Sequence, residues 1–454
     1  MLLAINLAEF GIKAAQLLLS LSILVIFHEF GHYITAKWFK CRVEKFYLFF
    51  DPWFSVYKKQ VGETEYGVGW LPLGGYVKIA GMIDESMDKE AMKLPAQPWE
   101  FRSKPAWQRL IIMIAGVTVN VLLAFIIYAM ILFTWGEDRI PMNSLKNGIW
   151  AQDQLLLDIG LQNGDKIIQV SGKPIVYLTD LNAKVLTGNN ILVERNGVKK
   201  EILIPVNLVE KLIESKRKRG LLSYRIPAIV GKYEKKDTFY GKQAGLLEMD
   251  QILSIDGSPV SYYDEMYPLL KKKSGSTSDL TVLRGTDTIK LTSKVDKDGR
   301  VGIPYLMTEQ YASMGVIKLD HQSYGFFESF PAGIKKTGEK LMFYIDQFRL
   351  ILNPETGAYK GIGGFKSMGS IFPSVWDWES FWNITGLFSI ILAFMNLLPI
   401  PALDGGHVLF TLIEMITGRK PNEKFLEYAQ IVGMVILFSL LIYANGNDLF
   451  GWNR

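Results

Sequence analysis

Two histidines one helical turn apart, His28 and His32, enclose a glutamate, Glu29, in the run HEFGH. On a helix of 3.6 residues per turn the two imidazoles project about 40° apart, so both reach one metal ion. Glu29 points near that ion without having to ligate it. This is equipment for metal-assisted hydrolysis: two nitrogen donors suited to zinc, and a carboxylate able to take a proton from a water. With 4 histidines in 454 residues, chance explains the spacing poorly. The bland alternative pairs the histidines with backbone or with each other. It is costly here, because the preceding residues 14–27 are those of a membrane span, where each central ionisable group costs about 2.5–3.5 kcal/mol.

A catalytic zinc takes three protein ligands and a water, so a third ligand is required. His321 falls in a polar region remote from the apolar stretches and reads as an exposed histidine. A later apolar stretch ends in NLLPIPALDGGH, which carries Asn396, Pro399, Pro401, Asp404 and His407. Two prolines interrupt a helix and free backbone groups, which a bilayer tolerates only beside a polar cavity. The break aims Asp404 at the depth where the first span ends with its histidines, making Asp404 the expected third ligand. His407, one turn further on, either supports a ligand from behind or merely packs.

The elements that must position these groups are mostly apolar helices. The chain is 49% hydrophobic and 21% charged, which is oily for a soluble protein of this length. Four stretches are long enough to cross about 30 Å of hydrocarbon, and run roughly over 12–39, 107–135, 381–403 and 425–444. Basic clusters Lys37, Lys40, Arg42, Lys45, then Arg102, Lys104, Arg109, then Arg419, Lys420, Lys424 alternate onto one side, cytoplasmic by the positive-inside rule. Both termini and the segment from about 136 to 376 then face outward. The first residues lack a basic leader pattern, so the first span reads as uncleaved. The formal charge of +5, with no basic helix bearing base-reading residues, gives no support for nucleic acid as a partner. Cys41 is the only cysteine, which excludes an internal disulfide and a cysteine zinc site.

The outward segment contains an internal repeat. IGLQNGDKIIQVSGKPI (159–175) aligns with AGLLEMDQILSIDGSPV (244–260), matching Gly160, Leu161, Asp165, Ile167, Gly172 and Pro174 to Gly245, Leu246, Asp250, Ile252, Gly257 and Pro259. Each copy reads as a helical turn, a strand, a glycine turn and another strand, and resembles a circularly permuted PDZ domain, which binds peptide ends by strand addition. Two β-rich spacers without a ligand are the alternative. The basic runs KRKR (216–219) and KKK (271–273) read as solvated loops. Residues 329–352 have helical periodicity around charges, suggesting an amphipathic helix at the membrane surface or packed on the second repeat. Residues 65–81 suit short strands and tight turns, with no room for a soluble domain.

The combination of HEFGH in a first span, a tandem repeat outside and N-x-x-P-x-P-x-L-D-G in a later span resembles the site-2 protease family (M50) of intramembrane metalloproteases. It is closest in layout to the bacterial enzymes that cut membrane-bound anti-sigma factors. The resemblance covers nearly the whole chain. It implies one Zn2+ per chain held by His28, His32 and Asp404, Glu29 as general base, and Asn396 with Pro399 and Pro401 beside the substrate. WLPLGGYV, with Leu71, Pro72, Leu73, Gly74 and Gly75, resembles the family's membrane-dipping β-loop that holds substrate as a strand. It also implies single-span membrane proteins as substrates, already cut outside, filtered by the PDZ pair, and a bacterial inner-membrane location in contact with the bilayer. GIGGF (361–365) departs from the Gly-Pro pair of many relatives, which puts a substrate-guiding role there in doubt.

The expected architecture is therefore a multi-pass α-helical membrane protein with four transmembrane helices, a membrane-associated β-loop and two extracytoplasmic PDZ-like α/β domains. The divisions are the HExxH span (1–45), the β-loop and cytoplasmic-side segment (46–106), the second span (107–136), two PDZ domains (137–225 and 226–308), the amphipathic helix region (309–375), the third transmembrane segment (376–417) and the fourth (418–454). Two readings compete with intramembrane proteolysis. One is a membrane PDZ scaffold with a structural zinc, disfavoured because a structural site needs no Glu29. The other is a zincin acting on soluble peptides, whose third ligand would not be Asp404.

Overall fold

The computed structural model describes residues 7–72, 74–82, 95–215, 220–235 and 237–452. The chain forms two compact units. The first comprises residues 1–136, 323–349 and 361–454, and the second comprises 137–322 and 350–360.

Among the described residues of the first unit, four helices are long and apolar enough to cross a membrane: α1 (Leu7–Trp38), α2 (Ala106–Thr134), and two later ones. Helix α1 stops in a Schellman arrangement, with Lys40 at φ 57°, the Lys40 amide on Lys37 and the Cys41 amide on Ala36 at 2.8 Å. Cys41 and Ala36 then bury together against Ile112 and Met113 of α2. Helix α3 (Phe326–Leu352) lays Gly333 against Ala129, and α4 (Phe365–Ile371) is a short helix beside α1. Next come α5 (Trp378–Leu397), α6 (Asp404–Thr417) and α7 (Glu423–Phe450).

Polar contacts fix the directions of these helices. Ser20 of α1 meets Thr385 of α5 at 3.0 Å, and Ser389 donates to the Asn120 carbonyl of α2 at 2.7 Å. Further along, Arg109 near the start of α2 pairs with Glu414 near the end of α6 at 2.5 Å. Helices α5 and α6 therefore run down α2 as one interrupted path, antiparallel to it and parallel to α1. Leu397 ends the third span, not Leu403 as the hydropathy suggests. Leu398 is already extended because Pro399 follows it and disfavours helical backbone at the residue before. The fourth span runs on to Phe450 instead of ending near residue 444.

The residues between α1 and α2 build more than short strands. Strands β1 (Val43–Leu48), β2 (Phe50–Val61), β3 (Thr64–Leu71) and β4 (Tyr76–Ile79) form one sheet in the order β2-β3-β1-β4, with β1 and β3 parallel. Its start at Val43 is disguised in sequence by the charged residues Glu44 and Lys45. Helix α3 is likewise not only a surface helix. Phe330 packs on Phe125 of α2, while Tyr344 and Phe348 both pack on Phe394 of α5.

The second unit contains two four-stranded sheets with one plan. Strands β5 (Lys166–Val170), β6 (Lys173–Pro174), β7 (Asn190–Arg195) and β8 (Val198–Leu203) are ordered β6-β5-β7-β8. Strands β9 (Gln251–Ile255), β10 (Ser258–Pro259), β11 (Thr277–Arg284) and β12 (Asp287–Lys294) are ordered β10-β9-β11-β12. The register shifts at the same point in both, between Ile167 and Gln169 and between Ile252 and Ser254. The repeated aspartates explain part of the repeat. Asp165 is gripped by Arg195, which also donates to Gly160, and Asp250 by Arg284, which also donates to Gly245. KRKR lies outside the described residues.

Candidate metal centre

Helix α1 presents His28 and His32 toward α2, and the α5–α6 break delivers Asp404 to them. His28 Nε2 lies 3.2 Å and His32 Nε2 3.3 Å from Asp404 Oδ2, and the two Nε2 atoms are 3.3 Å apart. Tetrahedral ligands about 2.0–2.1 Å from a zinc ion stand about 3.3 Å from one another, so this triangle has the dimensions that zinc requires. Asp404 Oδ2 is buried and has no hydrogen-bond partner, which would be costly unless a cation completes the set. Among the described residues this is the one cluster of His, Cys, Asp or Glu whose donor atoms converge in this way. The residues present fit a zinc ion.

Close helix packing makes the convergence feasible. A Cβ on Gly31 would stand 2.6 Å from the Ala115 carbonyl oxygen, and one on Gly116 would stand 2.4 Å from His32 Nε2. Only at glycine can α2 come near enough to wall the imidazoles. The Asp404 turn is held from the other side. Ala402 sits at φ 81°, unusual for a residue with a Cβ, and its amide donates to buried Gln430 of α7 at 3.1 Å.

Glu29 faces the start of β4. The Val77 backbone amide reaches its carboxylate, and a Cβ on Gly75 would lie 3.4 Å from Glu29 Cγ. Leu71 closes β3 opposite Phe50, Pro72 follows it, and Gly74 lies over the Phe50 ring. Leu73 is outside the described residues. Asn396, in the last turn of α5, brings Nδ2 to 3.4 Å from His28 Nε2. Pro399 and Pro401 form the break itself. His407 stands on α6 with its carbonyl accepting from Thr411, and it is not one of the three converging donors. His321 is half-exposed and lies 2.7 Å from Asp138 in the second unit.

Sequence reasoning overlooked Gly116, Asn120 and Gln430. Asn120 is buried with its side chain 3.1 Å from His28 Nδ1. A lone asparagine amid twenty-odd apolar residues of α2 was the available signal, since such groups in a span are expensive unless used.

Comparison with known proteins follows the same lines. Peptidase family M50 matches residues 16–440. A Treponema pallidum protein provisionally named zinc metalloprotease is 27% identical, over 94% of this chain and 97% of its own length. Proteins with the same provisional name from Xylella fastidiosa and Vibrio cholerae are 26% and 28% identical, over 96% and 95% of this chain and 98% and 97% of their own lengths.

Proposed function

The chain belongs to peptidase family M50, and from that premise we propose that it is a zinc-dependent metalloendopeptidase that cleaves the transmembrane segments of single-span proteins within the bilayer. The observation that carries the reading is the donor triangle of 3.2–3.3 Å, whose buried Asp404 oxygen has no hydrogen-bond partner, in the C-terminal part of a membrane-length helix.

His28, His32 and Asp404 would hold a zinc ion, which when bound would supply acidification of a water and polarisation of a carbonyl. Glu29 is the group placed to take a proton from the attacking water and pass it to the leaving amine. The Val77 amide, on the Glu29 carboxylate side of β4, is a donor available to that carboxylate. Asn396, beside His28, supplies a side-chain amide that steadies the substrate or the developing oxyanion.

A substrate helix hides its carbonyls in its own hydrogen bonds, so it must unwind before it is cut. Strand β4 ends the four-stranded sheet and passes Glu29. A substrate segment added to that edge as a strand would be held open beside the base. Leu71 at the end of β3, with Pro72, Gly74 and Gly75 before β4, is assigned to this loop. The two like sheets of the second unit serve as PDZ domains that admit substrates already shortened outside, anti-sigma factors among them. The basic clusters orient this unit and both termini away from the cytoplasm, in the bacterial inner membrane. The zinc ligation and Glu29 assignments are tested by Glu29→Gln. The variant retains zinc and loses cleavage of a purified single-span substrate, and retained turnover refutes the assigned base.

A further inference from the structure

We propose that Asn120 orients His28 for the metal, with one face of α2 acting as a template for both imidazoles; this rests on the zinc reading above. Ile112, Gly116 and Asn120 recur every four residues and so share a face of α2. At one end of that face the Ile112 carbonyl oxygen lies 2.8 Å from His32 Nδ1. A carbonyl only accepts, so Nδ1 of His32 carries the ring proton and Nε2 keeps its lone pair for a metal. Gly116, at the centre, gives the rings their room.

At the other end the partner of His28 Nδ1 is the Asn120 amide, at 3.1 Å. For His28 to ligate through Nε2 as a neutral ring, its single proton must sit on Nδ1, and that N–H then needs an acceptor. The Asn120 side-chain oxygen is buried and has no hydrogen-bond partner. Rotating the amide by half a turn brings that oxygen to Nδ1 without any other movement, since the two ends of an amide have nearly the same shape. The bond from Ser389 to the Asn120 backbone carbonyl locks α5 to α2 at the same level, so the amide is presented from a fixed backbone. Asn120 is thus a positioning residue that acts through His28 and selects its tautomer.

The test uses the purified full-length protein with zinc as the probe. Zinc affinity is measured by competition with a chromophoric chelator, and the site is read a second time by the absorption bands of bound Co2+. Asn120→Leu weakens zinc about 10- to 100-fold, the usual loss on removing a ligand's supporting partner, and shifts the cobalt bands. Asn120→Asp keeps an acceptor and discards the donor, and it binds zinc within a few fold of wild type. Wild-type affinity and spectrum in the leucine variant overturn the inference. So does loss of zinc in a folded aspartate variant, because the amide would then have acted as a donor. If the leucine variant does not fold, the aspartate variant decides alone. Wild-type protein that binds no zinc, or binds it equally well after His28→Ala, refutes the underlying zinc reading instead.

Discussion

His28 and Asp404 approach to 3.2 Å although a sheet, a second span, an entire second unit and a third span separate them in the chain. The meeting is arranged by backbone breaks, not by local sequence. Helix α1 supplies its histidines from an unbroken turn, whereas Asp404 reaches them only because α5 stops at Leu397 and α6 restarts at residue 404. An uninterrupted third helix would carry Asp404 past the site on whichever face its periodicity dictated.

Asp404→Ala should lower zinc content far more than loss of a supporting contact does, beyond the roughly 10- to 100-fold of such partners. Two imidazoles remain, too few to hold zinc in a closed site. Metal analysis of purified protein checks this. Unchanged zinc would point to a third ligand elsewhere and to the reading of a zincin for soluble peptides.

Gly116→Ala separates the site from the fold. In a helix interior alanine is more favourable than glycine by up to about 1 kcal/mol, so α2 itself is not weakened. The new Cβ would nevertheless stand 2.4 Å from His32 Nε2 and 2.7 Å from His28 Cε1. The expected outcome is a protein of normal helix content by circular dichroism whose zinc binding and cleavage are both lost.

The HExxH spacing and the broken NxxPxPxLDG stretch were enough to nominate three residues that the structure brings within 3.3 Å of each other, because both signals are local. The four-stranded sheet starting at Val43 was not legible. Its β1 strand pairs in parallel with β3 and antiparallel with β4, and a strand that opens on charged residues such as Glu44–Lys45 does not advertise such interior pairing. The template face of α2 was hidden for a related reason: Gly116 and Asn120 acquire meaning only opposite the His28 and His32 rings. Helix α3 shows a periodic charged face in sequence, but not that Phe330, Tyr344 and Phe348 would meet two spans.

The second unit should lose stability in acid through Asp250. Burial alone would raise the pKa of this carboxyl, but the Arg284 guanidinium and the Leu247 amide outweigh burial and hold it below the usual range. A carboxylate with a depressed folded pKa contributes stability that is fully present above its unfolded value of about 3.9 and is lost as pH falls through the folded value. Arg284→Met would strand the Asp250 charge. We expect a loss of about 2–3 kcal/mol at neutral pH, under the roughly 3–5 of a wholly buried pair because the Arg284 side chain is 32% exposed. The variant's residual stability should no longer fall below pH 4 as the wild type's does, since protonating Asp250 then removes a penalty. Urea unfolding of the second unit, followed by proteolysis at pH 7 and pH 3.5, measures both effects.

Asp448 poses a last question, because a carboxylate in the final turn of a membrane-length helix opposes the helix dipole and is expensive in a bilayer. Its compensation comes from the glycine cluster GIGGF (361–365) and the residues just after it. Asp448 accepts the Gly364 amide at 2.8 Å, the Ser367 amide at 2.9 Å and the Ser367 hydroxyl, while Asn445 accepts the Phe365 amide and Asn447 donates to the Ile362 carbonyl. Gly364 must be glycine for this approach, since a Cβ there would lie 2.4 Å from Asn445 Oδ1. The last turn of α7 therefore clasps residues 362–367 and fixes the start of α4. Hydrogen bonds to a charged group are worth about 1.5–3 kcal/mol each, so Asp448→Ala should speed amide exchange at Gly364 and Ser367 by about 10- to 100-fold or more. Asp448→Asn, which keeps one acceptor oxygen, should fall between. Zinc content should stay at the wild-type level in both, because none of these residues touches the donor triangle. Hydrogen–deuterium exchange of the detergent-solubilised protein decides the matter: unaltered protection over 362–367 in the alanine variant would show that α4 is held by its apolar contacts, Phe372 with Phe381 and Phe388, and not by the clasp.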